Sequence, residues 1–171
     1  MTGDTGGLLR TATWLFRAAV LVVVGVECFT GSTAHGIALT VRAVAFGLGT
    51  ALLLAWAVMA RRRSHDHSAA GLLPWVLGVM AACSAPSTAS DGGALIAFGF
   101  MAAIGAGSES SLATGWIVTS IGVLATVSGG LVDGASAAAT AGYSLLLIIA
   151  LLAGHNRRFF RLEAEHASAL L

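Results

Sequence analysis

The sequence predicts an all-α integral membrane protein: a six-transmembrane helical bundle built from three hairpins, with its last helix extending into the cytoplasm. Three observations predict it. Hydrophobic residues make up 57% of the chain and charged residues 10%, and the mean hydropathy is +0.88. A water-soluble domain of that composition would expose large apolar patches. The apolar residues also fall into runs near the length of about 20 residues that carries a helix across a bilayer, where lipid offers the backbone no alternative hydrogen-bond partner. Finally, all nine basic residues are arginine, and most of them collect at one set of run ends.

The first span is expected from Thr11 to Phe29, behind a short N-terminal segment, residues 1–10, that carries Asp4 and Arg10. That start has one arginine, and the apolar run that follows is longer than a signal-peptide core, so a retained span is expected rather than a cleaved leader. Glu27 before Cys28 rules against a lipoprotein site, which needs a small residue there. A polar turn around His35 leads to the second span, Ile37 to Ala60. Arg61, Arg62 and Arg63 close it, and the His65-Asp66-His67 tract that follows reads as a solvated loop supplying at most part of a metal site.

The third span is expected over Ala69 to Ser84 and the fourth over Gly92 to Gly107, both short for a crossing. Pro74 falls in the first turn or two of the third, where a missing amide donor is tolerated. The fifth occupies Leu112 to Val132 and the sixth Ala135 to Ala153. Residues 11–153 therefore form the membrane domain, and residues 154–171 a cytoplasmic linker helix. A faint repeat supports pairing into hairpins: Trp75 precedes Asp91-Gly92 and Trp116 precedes Asp133-Gly134 at nearly equal distances, with Trp14 in the corresponding place of the first hairpin. Independent anchoring of the indoles at the interface explains the same pattern.

Orientation follows from charge. Arg10, Arg61, Arg62, Arg63 and the group Arg157, Arg158 and Arg161 lie on one common side, which the positive-inside rule makes the cytoplasm. Both termini are then cytoplasmic, and the protein is a multi-pass component of the cell membrane. The turn Ser108-Glu109-Ser110 carries no positive charge of its own and is the least marked boundary.

Ionisable residues inside a bilayer are costly, which makes them the first functional candidates. Glu27 lies near the outer end of span one and Arg42 near the outer start of span two, so a hairpin brings the pair together, either as a structural lock or as a pair that breaks with a stimulus. Arg17 is placed to extend its guanidinium to the inner headgroups. Cys28 and Cys83 both fall near outer span ends. Their spacing permits an outward disulfide, but small apolar packing residues are the expected role. Small residues at every fourth position, Gly99, Ala103 and Gly107 in span four and Ala138 and Gly142 in span six, are expected to let helices approach closely.

No Gly-rich phosphate loop, Ser/His/Asp arrangement or zinc-protease motif occurs, so no catalytic residue, cofactor or metal is expected in this chain. A net charge of +1 with arginines in small clusters argues against direct nucleic-acid binding. The remaining partner is the lipid bilayer.

The end of the chain changes character. Arg157, Arg158 and Arg161 suit the anionic inner leaflet, Phe159 and Phe160 suit the interface, and Leu162 to Leu171 favours helix. Phe159, Leu162, His166 and Ala169 fall at approximate heptad positions. The run Asn156-Arg157-Arg158, Phe160-Arg161, Ala164-Glu165 and Ala169-Leu170-Leu171 resembles the stretch that joins the multi-pass sensor to the kinase core in DesK-like sensor histidine kinases of high-GC bacteria. The lysine-free, Ala-, Gly- and Arg-rich composition is similar too. The resemblance implies a membrane input module that passes a membrane or envelope stimulus through its C-terminal helix to a kinase core, and through that core to a response regulator. It also implies a homodimer. The kinase core is missing from this sequence or separate from it, and neither His155 nor His166 has the setting of that family's phosphoacceptor. The alternative is a free-standing small multi-pass membrane protein, a transporter or a membrane scaffold.

Overall fold

The computed structural model describes residues 5–30, 37–62, 68–85 and 93–169. Among these residues there are six α-helices and no strand: α1 (Thr5–Thr30), α2 (Ile37–Arg62), α3 (Ser68–Ala82), α4 (Ile96–Glu109), α5 (Leu112–Asp133) and α6 (Ala137–Ala169). Three stretches are long and apolar enough to cross a membrane, Leu39–Ala60, Leu112–Val132 and Ala137–Ala164, while Gly71–Ala82 and Ile96–Glu109 are shorter apolar helices.

Local chemistry sets several helix ends. Ser111 precedes α5 in an extended conformation, and its hydroxyl accepts a hydrogen bond from the amide of Thr114 at 3.2 Å, which satisfies one of the donors orphaned at a helix start. At the other end of α5, Gly134 takes a left-handed φ of 72°, and the amide of Ala135 donates to the carbonyl of Gly130 at 2.8 Å. Glycine adopts this C-terminal turn without the Cβ penalty other residues incur. Ser136 then opens α6, its hydroxyl accepting from the amide of Ala139 at 3.2 Å. Pro74 lies inside α3, and the helix runs through it.

Helix α4 begins at Ile96, four residues later than the expected Gly92, because the chain first turns at Gly93, whose φ is 61°. Tight i→i+3 bonds from Ile96 to Gly93 and from Phe98 to Leu95 lead into the helix. Helix α3 ends at Ala82 rather than Ser84, since Cys83 and Ser84 close it with a tightened turn, the hydroxyl of Ser84 donating to the carbonyl of Ala81 at 2.7 Å.

Helix α4 is the axis of the bundle. Phe98, Gly99, Met101, Ala102, Ala103, Gly105, Ala106 and Gly107 are all buried, so this short helix presents almost no surface of its own. It packs on α3, α5 and above all α6, while α2 closes on α3 and α1 leans mainly on α2. The largest interface, α4 against α6, thus joins helices that are not neighbours in sequence. The core gathers Leu53 and Trp56 from α2, Leu73, Leu77 and Met80 from α3, Phe98 and Met101 from α4, and Val118 from α5. Many leucines, valines and isoleucines of α1, α2, α5 and α6 face outward. That is the surface lipid would cover and water would not tolerate over such an area.

The contact between α4 and α6 is made by backbones. A Cβ added at Gly107 would collide with the carbonyl of Leu151, and one added at Gly154 would collide with the carbonyl of Ile104. Ala103 and Ala150 keep the same seam narrow. The small-residue pattern expected in α4 is therefore used. In α6 the expected Ala138 and Gly142 do not serve: a Cβ at Gly142 would meet nothing within 4 Å, and Ala138 is exposed. The close approach instead falls three turns later, at Gly154.

Candidate functional site

On α6, Leu147, Ala150, Leu151, Gly154, Arg157, Arg158 and Arg161 recur every third or fourth residue and share one helix face. Once Gly154 locks that face against α4, the arginines that follow are carried to the end of α4 and the turn into α5. Arg158 donates from Nη1 to the carbonyl of Ser110, and Arg161 reaches the carbonyl of Ser108 at 3.4 Å. The turn that lacks a positive charge in sequence receives one from α6.

Opposite them, α1 contributes Arg17. Its guanidinium carbon lies 4.3 Å from the centroid of the Trp56 ring on α2, a cation–π contact with a tryptophan that is only 3% exposed. Arg17 therefore folds inward over an indole instead of extending alone to a headgroup. Arg17, Trp56, Ile104, Ser108, Glu109, Arg157, Arg158 and Arg161 together line a pocket of about 210 Å³. Glu109 and Arg157 both act on Arg17 electrostatically. Among the described residues, four arginines and one glutamate line this pocket, an excess of three positive charges. Two buried donors or acceptors nearby, Nε1 of Trp56 and Nδ1 of His155, have no hydrogen-bond partner among the described residues.

A second cavity is lined by α1, α4 and α6, three of the four helices that line the first. Because α1 leans on α2, it stands off from α4 and α6 and leaves an apolar crevice of about 480 Å³. Ala19, Val20, Val23 and Val24 of α1, Ile96, Ala97, Phe100 and Met101 of α4 and Leu146 and Leu147 of α6 line it, with Gly93 and Ala94 at one end. Among the described residues, Glu27 is its one charged lining residue. Arg17 of the basic pocket and Val20 of the crevice are three residues apart on α1, a rise of about 4.5 Å.

The expected pair Glu27 and Arg42 shares one neighbourhood, since both act electrostatically on the thiol of Cys28. Glu27 is exposed and Arg42 half-buried. Cys28 and Cys83 are both free thiols, buried in the same core. In the linker, Asn156, Arg157, Phe160, Arg161 and Ala164 are exposed and Arg158 is half-buried. The backbones of Arg10, Arg61, Arg62 and Glu165 are helical, but their side chains lie outside the described set, as does that of Trp14. Arg63, His35, the His65-Asp66-His67 tract, Asp91, Leu170 and Leu171 lie outside the described residues. Trp75 and Trp116 are exposed on the bundle surface.

Trp56, Glu109 and Ile104 belong to the site without having been expected in it. Trp56 sits five residues before Arg61 in a uniformly apolar helix, so nothing local separates it from an interfacial anchor. The comparisons with family models, with curated proteins and with solved structures find no match to this chain.

Proposed function

We propose that this chain is the membrane-embedded input module of a two-component sensor histidine kinase, crossing the bilayer six times as three hairpins with both ends in the cytoplasm. The observation that carries this reading is α6. It is a single helix of 33 residues, rooted against α4 by a backbone contact and leaving the bundle as a stem whose Phe159, Phe160 and Leu162 are exposed. A rigid element of that kind converts a shift between packings of the bundle into rotation or tilt outside it. The arginines at the root favour the inner leaflet and so support a cytoplasmic stem. The partner is a dimeric kinase core, on a longer form of this chain or on a separate one, and through it a response regulator.

The test joins the full chain through Leu171 to a histidine kinase dimerisation and ATP-binding core in proteoliposomes, with one to four alanines inserted between Glu163 and Ala164. Autophosphorylation is expected to change with helical phase, disturbed most by two residues and recovering at four, about one turn later. A response that ignores the number of inserted residues sinks the proposal. Labelling of single cysteines at Thr5 and Ser168 by an impermeant maleimide is expected only in broken cells.

A further inference from the structure

We propose that the arginine pocket and the adjoining crevice form one binding site for a single anionic membrane phospholipid. Its phosphate lies between Arg17, Arg157, Arg158 and Arg161, and an acyl chain lies along the crevice between α1, α4 and α6. The site rests on the reading of this chain as membrane-embedded and deepens it by naming a ligand that ties α1 to the root of the stem.

Charge argues for the headgroup. Among the described residues, four guanidinium groups against one carboxylate leave three positive charges in a pocket of about 210 Å³. Arg157 and Arg161 are exposed and Arg17 and Arg158 half-buried, so the positive potential of the cluster is open to an anion. Guanidinium groups pair with phosphate oxygens through planar, paired hydrogen bonds. Trp56 adds a second, independent observation: it lines the pocket and holds the guanidinium of Arg17 at the pocket wall, 4.3 Å from its ring centroid.

Geometry argues for a lipid over a free anion. Along α1 and α4 the crevice lining begins within about one turn of the pocket lining, at Val20 after Arg17 and at Met101 before Ile104, and the crevice of about 480 Å³ is more than twice the pocket's volume. Val20, Val23, Phe100 and Leu146 offer that crevice only hydrocarbon. A basic pocket next to an apolar crevice suits the charged head and hydrocarbon tail of a phospholipid standing in one leaflet. A soluble anion would leave the crevice unexplained.

The purified full chain, in phosphatidylcholine nanodiscs, is titrated with phosphatidylglycerol, with extra phosphatidylcholine and with water-soluble glycerol phosphate, and bound lipid is counted by native mass spectrometry after release. One phosphatidylglycerol is expected to be retained at least tenfold more than phosphatidylcholine, with no competition from glycerol phosphate. Retention is expected to fall at least tenfold in the double variant R17Q/R157Q, to survive in part in R17K, and to persist in R42Q, whose arginine lies away from the pocket. Val20→Phe, which fills the crevice, is expected to reduce retention while leaving the arginines in place. Equal retention of both lipids, or indifference to R17Q/R157Q in a variant with native helix content, overturns the site. Competition by glycerol phosphate would show a soluble anion site instead and overturn the lipid assignment. Loss of fold in R17Q/R157Q shifts the decision to R17K and Val20→Phe, which keep the pocket's charge. Failure here with an intact phase response of the kinase fusion leaves the input-module reading standing; the reverse result separates them the other way.

Discussion

The guanidinium of Arg17 lies 4.3 Å over the ring of Trp56, and it is this contact that draws a charge from α1 into the bundle between α2, α4 and α6. A desolvated contact of this type contributes roughly 2 kcal/mol, against 0.5–1 kcal/mol at an open surface. The half-buried position of Arg17 puts it between those values. In a double-mutant cycle, Arg17→Gln with Trp56→Phe is expected to show a coupling of about 1 kcal/mol, read from reversible unfolding in mixed micelles. Trp56→Ala is expected to cost more, about 3–5 kcal/mol, since it also leaves a cavity in the core. A coupling near zero would mean that the stacking contributes nothing.

The seam between α4 and α6 is set by glycine. Gly154→Val and Gly107→Val each force a side chain into the facing backbone, where no rotamer change relieves the overlap. Each is expected to cost on the order of 3 kcal/mol or to prevent folding. Gly142→Ala, on the same helix but facing open space, is expected to change stability by less than about 0.5 kcal/mol. Thermal unfolding followed by circular dichroism distinguishes them, and equal effects at Gly154 and Gly142 would contradict the seam.

Arg158 fastens the root of α6 to the α4–α5 turn through the carbonyl of Ser110. Arg158→Gln is expected to cost on the order of 1 kcal/mol, as a partly exposed hydrogen bond from a charged donor. Its sharper signature is local: hydrogen exchange of the Ser110 to Thr114 amides should quicken while that of α2 stays as it was. Uniform quickening across all helices would assign Arg158 a global role instead.

Glu27 and Arg42 are expected to show reciprocal dependence. Reversing either charge alone should lower the yield of folded protein and change the rate at which Cys28 is alkylated, because both groups act on that thiol. Reversing both together should restore the yield. No rescue in the double variant would count against pairing.

Gly134 holds a φ of 72°, in the left-handed region. Gly134→Ala is expected to destabilise by about 1–2 kcal/mol although a Cβ there would touch nothing, because the cost lies in the backbone and not in packing. Denaturant titration of the two proteins measures it.

How much of this was legible beforehand varies by element. The apolar runs marked helices α2, α5 and α6 to within about two residues at most ends, since polar backbone and charge must leave the hydrocarbon at the run ends. The turn at Gly93 moved the start of α4 and the tightened turn at Cys83 and Ser84 the end of α3, where short runs gave hydropathy little to work on. The small-residue spacing pointed correctly to α4 and to the wrong place on α6, because a fourfold repeat of small residues states that a helix can be approached closely but not by what. The unmarked turn at Ser108 to Ser110 became intelligible only with α6 beside it, 48 residues away along the chain from Ser110 to Arg158.

The sequence by itself determined that the chain is helical, that it carries far more apolar surface than water accepts, and that its arginines are grouped. These are properties of composition and of local periodicity, which need no partner to be expressed. Only the tertiary structure decided that α4 is the axis, that Gly154 is the point of closest approach, and that Arg17 and Trp56 meet three arginines of α6 around one pocket. A uniformly apolar helix has no preferred face until its neighbours occlude one, and which face is occluded depends on side-chain shapes that lie far apart in the chain.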